Sequence, residues 1–187
     1  ITLAIYAIVS MGYIYSLVFK NERILSKLNL LLVAGFLTHT SAITARYFAQ
    51  GRLPWAGDYE NGLMVGWFMV LFNIYVSLRH KSLQFISMGL LPLALLLMGF
   101  GVMRNPVLSP MAASLKSFWL YIHVYFAWFA FGAFALAFGA GILYILKERD
   151  SRRETKNPIY EKIPSLERLD ELMFKYIIFG FITDAIM

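Results

Sequence analysis

Three histidines and no cysteine set the metal-binding chemistry open to this 187-residue chain. His123 has the most suggestive neighbours. It lies in Ser117-Phe118-Trp119-Leu120-Tyr121-Ile122-His123-Val124, where helical spacing puts Trp119 one turn before it and Phe126 nearly one turn after, on the same face. Tyr121, Tyr125 and Trp128 fill the neighbouring faces. An imidazole in such a collar could ligate the metal of a flat, apolar cofactor. The alternative is an interfacial aromatic belt with an incidental histidine. A belt accounts for the Trp and Tyr but does not require a histidine at its centre, and composition leaves both readings open.

The other two histidines carry plainer alternatives. His80 stands between Arg79 and Lys81 and reads as part of a solvated basic helix end. His39 has Thr38 and Thr40 beside it, about 17 Å into an apolar segment that begins near Leu28. A polar ring at that depth is a functional candidate by default. It is equally served by one interhelical hydrogen bond to a threonine or a backbone carbonyl. Asp184 is a further acid placed well inside an apolar segment, where a proton relay or a salt-bridge partner is a candidate role.

A second constellation is Arg46-Tyr47-Phe48-Ala49-Gln50-Gly51-Arg52-Leu53-Pro54-Trp55-Ala56-Gly57-Asp58-Tyr59-Glu60. It is a short Gly- and Pro-punctuated loop with two arginines, and its Tyr59-Glu60 pair enters the next helix. Asp58 and Glu60 suit a helix N-terminus, where the dipole favours carboxylates. Capping plus interface anchoring is one reading. The other is a cradle for an anionic ligand, with Arg46 and Arg52 available to carboxylates.

The elements that position these residues are membrane-spanning helices. The chain is 59% hydrophobic and 15% charged, and its apolar segments fall at about 1–19, 28–48, 62–78, 83–101, 118–146 and 172–187. That pattern predicts an all-α, polytopic transmembrane helical bundle with about six spans, one domain over 1–187, and excludes a soluble globule. The connections 20–27, 79–81 and 147–171 hold twelve of the seventeen basic residues, against Arg52, Arg104 and Lys116 in the alternate ones. The positive-inside bias therefore places the N-terminus outside and the loop 147–171 in the cytoplasm or its equivalent. The net charge of +6 reflects this orientation, not affinity for nucleic acid.

The fifth segment is too long for one crossing. Phe118 to Leu146 is 29 uncharged residues, roughly 44 Å of helix against about 30 Å of hydrocarbon. With Lys147, Glu148 and Arg149 pinning the inner end, the outer boundary falls near Ala127 and leaves His123 one turn outside, on the same side as loop 49–61. Ala133, Ala137 and Gly141 repeat every four residues as a helix-packing stripe. Ser165 is expected to cap a helix that begins as an interfacial amphipathic stretch through Leu166, Leu169, Leu172 and Met173. Pro92 is expected to kink the fourth span or open a hydrogen-bond gap in it. Ile1 and Met187 both lie inside apolar segments and no signal peptide is evident, so the sequence reads as part of a longer polypeptide.

On these residues the chain resembles the cytochrome c assembly protein family, the CcsA/ResC type of haem-handling membrane protein. Arg46 to Glu60 is similar to that family's Arg-Trp-x-x-x-Gly-x-x-Pro-x-x-Asn-x-Tyr-Glu segment, keeping Arg46, Gly51, Pro54, Tyr59 and Glu60, with Gly57 where asparagine is usual. Ser117 to Val124 resembles its Ser-x-Trp-Leu-x-x-His-Val segment, and Leu169-Asp170-Glu171-Leu172 its Leu-Asp-x-Leu lead into the next helix. The resemblance implies that His123 is one axial ligand of haem b held as a substrate at the outer surface. It implies further that Trp119 belongs to the collar, that Arg46, Arg52, Tyr59 and Glu60 belong to the haem site, and that a tryptophan-rich motif and a second ligand histidine follow in the longer chain. The implied function is that of a haem-handling subunit of a cytochrome c synthetase, presenting haem for thioether attachment to apocytochrome c. Its implied partners are a second membrane assembly subunit and the bilayer of a bacterial inner or thylakoid membrane. A non-catalytic scaffold or quinone-site subunit of a membrane electron-transfer complex is the alternative. A solute transporter ranks last, since no paired broken helices are evident.

Overall fold

The computed structural model describes the chain apart from residues 20, 56, 105, 108–116, 155–156 and 187. The six helices expected from the apolar segments are present: α1 (Thr2–Val18), α2 (Leu25–Gln50), α3 (Asp58–Arg79), α4 (Ser87–Val102), α5 (Phe118–Ser151) and α6 (Leu166–Ile186). Short 3-10 turns, Glu22–Ile24, Lys81–Ile86 and Pro158–Lys162, join them. Helices satisfy their own backbone polar groups, which hydrocarbon cannot do for them. Among the described residues, four stretches, Leu25–Gln50, Asp58–Arg79, Lys81–Val102 and Phe118–Ser151, are long and apolar enough to cross a membrane, while the apolar α1 is shorter at 17 residues. The protein is a helical integral membrane bundle.

Helix ends are set locally. Ser117 caps α5, its side chain accepting from the Leu120 N–H at 3.2 Å. Ser165 caps α6 as expected, accepting from the Arg168 N–H at 3.2 Å, but residues 166–186 form one unbroken helix, so the amphipathic stretch is the first turns of α6. α2 stops at Gly51, whose φ of 65° suits a residue without Cβ and whose N–H donates to the Tyr47 carbonyl at 2.8 Å. Pro92 lies inside α4.

Close helix contacts follow the small residues. α3 and α4 touch backbone to backbone, since a Cβ on Gly62 would stand 2.7 Å from the Gly101 Cα. Phe72 of α3 lies over Gly132 of α5. α5 packs most extensively on α6, with Ala133 and Ala137 buried and Met173 against Gly141. Phe134 lies against Gly180, so seven residues back along α5 match seven forward along α6. This antiparallel register puts the last turn of α6 beside Trp128. α5, at 34 residues, is about 51 Å long and runs on past that point.

The two ends of the bundle differ in chemistry. One, here the histidine end, holds His123 and the residues joining α2 to α3. The other, the basic end, holds Arg79, His80, Lys81 and the connection from α5 to α6. There Lys147 Nζ donates to the carbonyls of Ile163 and Pro164 at 2.6 and 2.8 Å, and the Asp150 carboxylate accepts from the Asn157 N–H at 3.2 Å. These bonds tie the loop to the foot of α5.

Candidate functional site at the histidine end

The Arg46–Glu60 constellation closes into one cluster around a buried carboxylate. Glu60, in the first turn of α3, has a side chain only 3% exposed. Arg46 Nε of α2 donates to its Oε1 at 3.1 Å, and Arg52 Nη1 donates to its Oε2 at 3.0 Å. Gln50 Nε2 donates to Oε1 as well. The Arg46 guanidinium also lies 4.7 Å above the Tyr59 ring, and its Nη1 donates to the Pro106 carbonyl at 2.9 Å. All four residues expected here, Arg46, Arg52, Tyr59 and Glu60, are thus brought together. Their order is inside-out relative to a simple cradle: both arginines hold Glu60.

The connecting segment reaches α5 through Trp55. Its ring meets Tyr121 edge-on with centroids 4.3 Å apart, and Tyr125 at 6.1 Å. Tyr125 in turn meets the fully buried Trp128, whose Nε1–H donates to Asn61 Oδ1 at 3.0 Å. Trp55 is itself 7% exposed, and among the described residues its buried indole N–H has no acceptor. Gln50 and Trp55 were not singled out in the sequence. The signal available was position alone, Gln50 one turn after Arg46 and Trp55 between Pro54 and Gly57.

His123 and Trp119 occupy a different side of α5. A helix turns about 100° per residue, so His123 is about 200° from both Tyr121 and Tyr125 and faces away from Trp55. It shares its direction with Phe134 and Gly141, the α5 residues that α6 covers. His123 is half-buried and Trp119 is 61% exposed. By the register above, His123 stands about 7 Å beyond Ile186, on the line that α6 follows. The structure therefore joins the arginine cluster to the turns of α5 at the histidine end, but puts the imidazole on the α6 side of that helix.

The remaining candidates resolve as follows. His39 is buried between helices, where the Tyr6 hydroxyl of α1 lies 3.3 Å from Nδ1 and the Leu63 backbone of α3 is a main-chain partner. Thr40 instead accepts from Trp67 Nε1 at 2.9 Å, and Thr38 lies 3.1 Å from Thr2. His80 terminates α3, its N–H donating to the Val76 carbonyl at 2.9 Å, and is exposed. Asp184 is on an exposed face of α6.

Residues 55–186, from Trp55 through almost all of α6, match the cytochrome c assembly protein family. The chain belongs to that family. The match contains Tyr59, Glu60, Trp119 and His123 and begins after Arg46 and Arg52. Among similar proteins, NrfI of Wolinella succinogenes is 29% identical over 143 residues, covering 73% of this chain and 15% of its own length. The cytochrome c biogenesis protein CcsA of Pyropia yezoensis is 26% identical over 111 residues, 57% of this chain and 34% of that protein. HemX of Brevibacillus brevis is 22% identical over 182 residues, 96% of this chain and 66% of its own. The chain thus spans about a third of the CcsA protein and less of NrfI. Family membership carries a role in cytochrome c biogenesis.

Proposed function

We propose that this chain is the haem-handling part of a cytochrome c synthetase. In this reading it receives haem b from the basic side, holds it at the outer membrane face at the histidine end, and presents it to apocytochrome c. The observation that carries the proposal is the position of His123, half-buried near the start of α5, one helical turn after the exposed Trp119 and on the α6 side of that helix. A single imidazole suits this substrate. A bare ion needs three or four protein ligands, whereas the iron of a porphyrin already has four ring nitrogens and takes only axial ones.

The other residues have derivable parts. Trp119, exposed beside His123, offers an apolar surface to a porphyrin face. The Arg46–Arg52–Glu60 cluster puts two guanidiniums at this end, each held in place by Glu60, and such groups suit a propionate. The buried Trp55 N–H is a further donor at the same end. Attachment adds each cysteine S–H of the apocytochrome across a haem vinyl group, the sulfur bonding one carbon and the proton going to the other. Those cysteines belong to the substrate, in keeping with a cysteine-free chain. A second membrane assembly subunit and a bacterial inner or thylakoid membrane complete the proposal.

The test is the absorption spectrum of the purified full-length protein. A bis-histidine Soret band is expected, and His123→Ala should reduce both that band and the yield of mature cytochrome c. Unchanged haem content and unchanged yield in His123→Ala would overturn the site.

A further inference from the structure

A groove of about 680 Å³ opens at the opposite, basic end of the bundle. Ala133 and Leu136 of α5 form its floor; Phe72 and Val76 of α3 form one wall, Tyr176 and Phe179 of α6 the other. The small side chain of Ala133 leaves the room. Tyr75 and Phe179 line it and are 65% and 45% exposed, so the groove is open sideways, toward the lipid around the bundle. From His80 at its mouth to Phe72 at its deep end is eight residues of α3, about 12 Å along the membrane normal.

The charge is confined to the mouth. His80, Lys162, Arg168 and Lys175 line it there, with Glu161 as the acid among them. Arg168 Nη1 donates to Glu171 at 2.8 Å, but both side chains are at least 60% exposed, and such a pair yields readily to a better anion. We infer that this groove binds an anionic phospholipid, its phosphate between Arg168 and Lys175 and an acyl chain along Val76, Phe72 and Phe179. An apolar channel parallel to the helices, open to lipid and basic only at headgroup level, fits a phosphate ester with a long chain. Basic pockets between spanning helices bind such headgroups. The inference is independent of the haem reading at the other end.

The test is native mass spectrometry of the full-length, delipidated protein titrated with dioleoyl phosphatidylglycerol, dioleoyl phosphatidylcholine, haemin or inorganic phosphate. Phosphatidylglycerol should be retained at least about fivefold better than phosphatidylcholine. The double variant Arg168→Gln/Lys175→Gln should lose that preference. Arg79→Gln/Lys81→Gln, equally basic positions at the same end but outside the groove, should keep it. Equal retention of the two lipids would overturn the inference, as would loss of preference in both double variants. Displacement of the phospholipid by equimolar haemin would assign the groove to a tetrapyrrole instead, and displacement by millimolar phosphate alone would reduce it to an anion site without a chain.

Discussion

Arg46 Nε lies 3.1 Å from Glu60 Oε1, joining the last turns of α2 to the first turn of α3 across a side chain that is only 3% exposed. The contact makes Glu60 a structural anion first. With Arg52 on its other oxygen, it fixes the geometry of the whole segment that carries Trp55 to α5.

Glu60→Ala should therefore destabilise the protein strongly, because two partly buried guanidiniums would lose their counter-charge. Breaking a buried pair from one side costs about 3–5 kcal/mol, and the thermal midpoint of the detergent-solubilised protein should fall accordingly. Arg52→Ala leaves Arg46 on the carboxylate and should cost clearly less. Equal, small losses for the two variants would mean that the cluster is solvated.

Tyr6 and His39 form a coupled pair between α1 and α2. Tyr6→Phe and His39→Leu should each cost about 1–3 kcal/mol by leaving the other polar group unpaired in the core. The double variant should cost less than the two singles combined, since neither orphan remains. Additive losses would remove the hydrogen bond from the account. Retained cytochrome c yield in the double variant is expected if His39 has a packing role only.

Gly62 and Gly101 hold α3 and α4 at backbone contact, so Gly62→Val should force the helices apart. Overpacking of this kind costs about 1–3 kcal/mol. Gly99 gives the contrast, because nothing lies within 4 Å of a Cβ added there. Gly99→Ala should be neutral or stabilising by about 0.5–1 kcal/mol, through helix propensity alone. Thermal midpoints of the two variants check both halves, and matching shifts would contradict the close approach.

What could be read in the sequence follows the range of the forces involved. Each helix was legible because an uncharged run is a local signal, and Ser165 caps α6 where it was expected to. The excess length of α5 was legible for the same reason, and with it the place of His123 near one end. Tyr6 as the partner of His39 was not, since 33 residues separate them and threonines stood nearer in the chain. Nor was the engagement of both arginines by Glu60, since the loop could have aimed them outward with the same spacing. The side of α5 that His123 occupies was readable from helical periodicity, but what covers that side depends on the α5–α6 register, which small residues such as Gly141 and Gly180 set only once the helices meet.

The orientation derived from the basic residues has a direct check, because the chain has no cysteine to remove. Asp58, whose side chain is 72% exposed, lies at the start of α3 at the histidine end, and Lys81 lies just past the other end of the same helix. Twelve of seventeen basic residues lie in the three connections at the Lys81 end, and such a bias holds those loops inside. Asp58→Cys should then react with a membrane-impermeant maleimide added to intact cells or right-side-out vesicles. Lys81→Cys should react only after permeabilisation. The reverse pattern would put His123 on the inner face, where an outward-facing apocytochrome could not reach its haem, and the proposed function would fall with the orientation.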